Sequence, residues 1–224
     1  ALSLYWAKFL PKWLPWTYGF LTLLVAFQGF LGALTVLQLL PSLVVMFHLA
    51  VAFTLVAIMS AVTQQLLSPG KSILPFWLRS LGFLSLLSVI GQSLLGSRVA
   101  TSWAAHRCLS FGDSCNLLGL HRVSALPVSL LVVSFVIISF FQRDVFSNQL
   151  PYFLTIIFLI ISQIFLGVFS IQLGMNEPSL IIGHQLVACL LVAVLSALNF
   201  KGHGIDGYSQ SLLKAQSTLE TCHG

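Results

Sequence analysis

The chain reads as an all-α integral membrane protein with six transmembrane helices, organised as an incomplete tandem repeat of four-helix bundles. Three observations predict this. Of its 224 residues 58% are hydrophobic and only 7% charged, with a mean hydropathy of +0.99, whereas about a quarter of the residues of a soluble domain are charged. Six stretches, 16–38, 41–65, 73–97, 118–141, 152–174 and 179–200, are long enough to cross a hydrocarbon core of roughly 30 Å, which takes about 20 helical residues. None alternates with period two, so the segments are helices of a bundle and not strands of a barrel. Finally, one ordered set of residues occurs twice inside these segments: Gln28, Phe30-Leu31-Gly32, Pro41-Ser42-Leu43 and His48, then Gln163, Phe165-Leu166-Gly167, Pro178-Ser179-Leu180 and His184.

The elements follow in order. Before the first segment, Lys8 and Lys12 flank aromatic residues instead of leading into a short apolar core, so there is no cleavable signal pattern. Ala1 in place of an initiator Met reads as a processed or incomplete chain. The first segment carries Gln28, Gly29 and Gly32, and the second opens after Pro41 and carries His48. The third holds Gly91 and Gly96 and ends at Arg98; such glycines either let backbones approach or leave room for a flat ligand. A long connection with His106, Cys108 and Cys115 leads into the fourth segment, where His121 and Arg122 stand near the start and Pro127 predicts a kink. The fifth repeats Gln163 and Gly167, and the sixth holds His184 and Cys189. A polar tail, 201–224, contains His203 and Cys222-His223 but no C-x-x-C-H spacing for covalent haem attachment.

The positive charges report topology. The net charge of +5 comes from Lys and Arg dispersed between apolar segments, with no basic cluster, which excludes a nucleic-acid partner. Lys8, Lys12, Lys71, Arg79, Arg143, Lys201 and Lys214 fall on one side, and Arg98, Arg107 and Arg122 on the other. The excess puts both termini on the cytoplasmic or matrix-like side of a bacterial plasma, thylakoid or mitochondrial inner membrane. Cys108 and Cys115 then face an oxidising compartment, as a disulfide or as two free thiols.

Under this topology the second, fourth and sixth segments start at the same face, and His48, His121 and His184 lie three to seven residues inside those starts. At 1.5 Å per residue they share a depth of roughly 5–10 Å. Ionisable groups inside a membrane are costly and mark functional sites. Two imidazoles on neighbouring helices can hold a haem iron at its two axial positions, and Arg98 or Arg122 at the helix ends could pair with a propionate. A plainer reading stands beside each: an interhelical hydrogen bond for His48, an interfacial position for His121 and snorkelling for the arginines. Zinc suits the sequence less well, because it takes three or four converging ligands and the six segments contain no Asp or Glu. Gln28 and Gln163 read as interhelical hydrogen bonders, and Cys189 as a buried thiol on another face from His184.

Taken in order, Gln28 to Val36, His48-Leu49-Ala50, the Cys108 to Cys115 loop, His121-Arg122, Gln163 to Gly167 and His184-Gln185 resemble the heme A synthase family over nearly the whole chain except the tail. The resemblance implies a membrane oxidoreductase of two four-helix repeats that converts a methyl group of haem O into the formyl of haem A. It also implies that His121 and His184 hold a haem b, and that His48 is one histidine of the substrate-haem pair. The other histidine of that pair and the family's catalytic glutamate match no residue here, so no catalytic residue is assigned.

The internal repeat locates the same gap. Gln28 and Gln163 are 135 positions apart, so the first two segments copy the last two, and counterparts of the middle two would precede Ala1. The expected organisation is therefore half of an N-terminal repeat over 1–66, a complete C-terminal repeat over 73–200 and the tail over 201–224. Either the chain begins late, or it is a six-helix relative without a substrate half. The first makes it an enzyme acting on haem O with an electron carrier. The second makes it a non-catalytic haem b subunit for electron transfer or assembly, within a homo-oligomer or a larger membrane complex. A transporter fits less well, because the repeats are parallel copies with histidines near one face.

Overall fold

The protein is described from a computed structural model, over residues 11–67, 74–101, 116–173 and 177–202. Cys108, Cys115, His106, His203 and the rest of the polar tail from 203 on lie outside these residues. Six helices are present among them: α1 Leu14–Leu37, α2 Ser42–Leu67, α3 Phe76–Thr101, α4 Asn116–Phe140, α5 Arg143–Gln172 and α6 Pro178–Phe200. All six are long and apolar enough to span a membrane, and the chain is a multi-pass, all-α membrane protein.

The expected segments correspond one to one with the helices, and the largest shift is in α5. It begins at Arg143, nine residues before the apolar stretch does, with Asp144 in its first turn at the positive end of the helix dipole. Asn148 Nδ2 donates to Asp144 O at 2.8 Å in the same polar stretch. Thirty residues make about 45 Å of helix, so the first turns extend past a core of roughly 30 Å. Pro151 and Pro127 lie inside α5 and α4 without ending them. Pro178 opens α6, where its missing N–H costs no helical bond.

The packing is uneven. α3 packs on α4, α4 on α5, α5 on α6 and α6 back on α3, so these four helices close a ring. α2 lies against α6 and α3, whereas α1 touches α2 alone among the described residues. The main apolar core runs through the ring and onto α2, with Phe53, Leu78, Val132, Phe135, Phe153, Ile156, Leu191 and Leu195 at most 1% exposed. Tails of α1 such as Trp16, Leu23 and Phe30 point outward, as lipid-facing residues do.

Apolar burial gives little association energy inside a bilayer, so helix pairs rely on close packing and hydrogen bonds. The α2–α6 pair has two such bonds of a reciprocal kind. Ser60 Oγ donates to Ala193 O and Ser196 Oγ to Ala57 O, both at 2.7 Å. Ala57 and Ser60 are separated from Ala193 and Ser196 by the same interval that separates His48 from His184. The contact therefore joins equivalent residues about a local two-fold axis.

At one end of the bundle, Tyr152 Oη donates to Gln64 Oε1 at 2.6 Å, Lys201 Nζ sits 4.9 Å from the Tyr152 ring centre and Arg79 lies over Phe200. The charged heads of both cations thus pack on aromatic faces. The histidines lie toward the other end.

Candidate functional site

Each of three consecutive helix hairpins carries the same local device. On its first helix a glutamine and a glycine are four residues apart, hence on one face: Gln28 and Gly32 on α1, Gln92 and Gly96 on α3, Gln163 and Gly167 on α5. The second helix presents a histidine to that face. A Cβ added at the glycine would stand 3.2 Å from His48 Cε1, 2.9 Å from His121 Cε1 and 3.1 Å from His184 Cε1. The imidazole edge thus occupies the volume that a side chain would fill. A methyl group would force the ring away at Gly96 and crowd it at Gly32 and Gly167.

The glutamines treat the three rings differently. Gln28 Nε2 is 3.2 Å from His48 Nε2, while Gln28 Oε1 and His48 Nδ1 are buried without partners. Gln92 Nε2 is 3.1 Å from His121 Nδ1 and donates to His121 O at 2.7 Å, and Gln92 Oε1 accepts from Ser124 Oγ at 2.7 Å. At the third hairpin Gln163 Oε1 and His184 Nδ1 are again buried and unpartnered. Buried polar atoms left without a bond are uncommon and need an explanation, such as a group that the site holds.

The ring of α3 to α6 brings His121 and His184 to one cavity of about 470 Å³, walled largely by Val89, Leu126, Ile160, Val168 and Leu191. Gln92, Gln163, Gly167 and Arg122 also line it. A smaller space of about 110 Å³ beside it is shared by Gly96, His121, Gly167 and His184. The larger volume lies within the roughly 300–1,000 Å³ of small-molecule sites. His48, on the α1–α2 hairpin, lines neither space. Arg98 lies exposed in the last turn of α3 and also lines neither, whereas Arg122 is exposed and reaches the larger one.

The donor set suits a bis-imidazole cofactor. Among the described residues no three His, Cys, Asp or Glu side chains converge, so the metal-ligating groups at the cavity are the two imidazoles. Two neutral nitrogens in an apolar cavity, with an orphaned Nδ1 and an orphaned amide oxygen beside it, fit a haem better than a tetrahedral ion. Cys189 is a free, half-buried thiol and lines neither space.

Sequence reasoning missed Gln92 and Ser124, and with them the third copy of the device. Its signal was present as Gln, two residues, Leu, Gly: Gln28 to Gly32, Gln92 to Gly96 and Gln163 to Gly167 share it. The third copy has Leu94 where the others have Phe30 and Phe165, so a search keyed on Phe-Leu-Gly passes over it.

Comparison with curated proteins and with solved structures returns no match. A family model described as cytochrome oxidase assembly protein, COX15-CtaA, matches residues 1–196, which include all but the last turn of α6 and both cavity histidines. The chain belongs to this family of cytochrome oxidase assembly proteins, the heme A synthase family.

Proposed function

We propose that the four-helix ring holds a haem b between His121 and His184, and that the protein serves the conversion of haem O to haem A. One observation carries the reading: the two histidines, on α4 and α6, line a single apolar cavity. In this reading residues 73–200 form one complete repeat, residues 1–66 half of another and 201–224 a tail on the cytoplasmic or matrix-like side. Both termini face that side, and Cys108 and Cys115 form a disulfide on the opposite one.

Converting a methyl to a formyl group with the oxygen drawn from water releases four electrons and four protons for each water consumed, so a one-electron carrier is needed beside the reaction site to pass the electrons to an external acceptor. A bis-histidine haem supplies that kind of chemistry when bound. The chain supplies the rest. His121 and His184 bind the metal, and Arg122 at the cavity's edge pairs with a propionate. Arg98, at the same membrane face, is a second candidate for that role. Val89, Ile160 and Leu191 exclude water from the cavity. His48, pressed on Gly32 and bonded by Gln28, is the ligand on the side of the substrate haem O. Electrons leave through a carrier in or beside the membrane.

A second reading is favoured by the presence of one histidine on the α1–α2 hairpin and two at the ring. It makes the protein a non-catalytic haem b subunit for electron transfer or assembly, in a homo-oligomer or a larger complex. Absorption spectra of the purified full chain and its His121→Ala and His184→Ala variants test the common core. The wild type should show a six-coordinate low-spin haem, and each variant should lose it. Survival of that signal in both variants would exclude the assignment. Turnover of haem O by the wild type separates the enzyme from the subunit.

A further inference from the structure

The larger cavity of the ring has its mouth between α4 and α5. Val89, Ile160 and Leu191 at its floor are buried, and Gln92, Ser93 and His184, its walls on α3 and α6, are half-buried. Among the described residues, those that line the cavity and are exposed all belong to α4 and α5: Arg122 and Leu126 on the first, Ile164, Val168 and Gln172 on the second. Each set is spaced by four residues and so forms one row along its helix. The two rows border a slot, and the row from Ile164 to Gln172 runs for about 12 Å.

The slot has a polar end and an apolar length. α4 starts and α5 ends at the histidine end of the bundle, so Arg122 and Gln172 stand there. Leu126, Val168 and Ile164 follow away from it and are 65%, 47% and 51% exposed, on two helices that both span the membrane, so they face acyl chains. Farther on, the same two helices are closed against each other. The turn 141–142 joins them, and ahead of it Phe135 meets Phe153 at 5.9 Å and Phe140 meets Phe146 at 5.1 Å between ring centres.

We propose that this slot is a lateral portal, through which the flat ligand of the ring passes edge-on between the bilayer and the cavity. The inference rests on the bis-histidine haem reading and adds the route to it. A haem has apolar faces and carries both carboxylates on one edge. Sliding in sideways keeps that edge toward Arg122 and Gln172, while the apolar edge passes Leu126, Val168 and Ile164. Entry from the aromatic end would drag the carboxylates through apolar core, where charge is costly. The portal thus suits a planar ligand that is polar along one edge and reaches the protein dissolved in lipid.

The test uses the full chain, freed of pigment and reconstituted into phosphatidylcholine vesicles, and given iron protoporphyrin IX dissolved in the same lipid. Growth of the six-coordinate low-spin absorption measures the rate of uptake. Leu126→Trp and Val168→Trp narrow the slot from either side and should each slow uptake, by about tenfold if overfilling adds to the barrier what it costs in a packed core. Leu126→Ala and Val168→Ala widen the slot and should speed uptake; they decide the matter if the tryptophan variants do not fold or do not hold haem. Val123→Trp, on α4 at a residue 74% exposed and outside the lining, should load at the wild-type rate. Uptake that is unchanged in the narrowed and widened variants alike, or slowed as much by Val123→Trp, overturns the portal while leaving the haem site in place. A wild-type chain that forms no low-spin species overturns the haem reading itself, and the portal with it.

Discussion

At Gly96 a single methyl group has nowhere to go. Its Cβ would stand 2.9 Å from His121 Cε1, closer than such contacts occur, and every atom it meets belongs to the imidazole, so the ring must shift. Gly96→Ala should therefore displace His121 and convert bound haem to a high-spin or five-coordinate form, read by absorption. Gly32→Ala, at 3.2 Å from His48, should leave that spectrum unchanged, because His48 belongs to a different hairpin. The α1–α2 turn makes a second residue-scale prediction. Leu39 and Leu40 have φ of 55° and 62°, in the left-handed region, and Leu40 N closes back on Thr35 O at 2.8 Å. This is a helix-ending turn of the kind that glycine usually makes, with leucine in its place. A left-handed leucine costs roughly 1–2 kcal/mol, and Leu39→Gly should recover about 1 kcal/mol, seen as a higher melting temperature in detergent. None of this strain is legible in the sequence, where Leu39-Leu40 before Pro41 looks like the end of an apolar span. His48, His121 and His184 were legible, because an ionisable group in an apolar run stands out. Gln92 was not, because one glutamine among serines looks like ordinary interhelical glue.

The helices themselves were almost fully legible, since span length and hydropathy follow directly from the thickness of a bilayer. What hydropathy cannot report is which helices touch, because a lipid-facing leucine and a core leucine are alike in composition. The start of α5 shows a related limit: Arg143 to Pro151 is helical but too polar to count as span, and a proline within it reads as a boundary. The pairing of α2 with α6 rests on the two serine bonds and on alanine-sized contacts. Ser60→Ala and Ser196→Ala should each cost little, about 0.6 kcal/mol, the average for such bonds in a membrane. Ala57→Leu should cost more, about 1–3 kcal/mol, because it overfills a close crossing. Denaturant titration of the purified protein would rank the three, and a Ser60→Ala cost as large as that of Ala57→Leu would contradict the packing account.

At the scale of the whole molecule, the ring of α3 to α6 is closed and, among the described residues, the α1–α2 hairpin is attached through α2 alone. The two histidine environments should therefore behave as separate units. His48→Ala should leave the haem b absorption of the ring unchanged while abolishing any turnover of haem O, measured by pigment extraction and chromatography. A loss of haem b in this variant would show that the hairpin and the ring form one site. The reciprocal serine contact between α2 and α6 bears on how such a molecule could arise. A face that binds its own copy needs no foreign partner. A single unit carrying Ala-x-x-Ser at that position would pair with itself, and joining two copies in one gene would turn that dimer into the interior of one protein. The halves would then be free to diverge, while the seam between them keeps the symmetry of the ancestral pair.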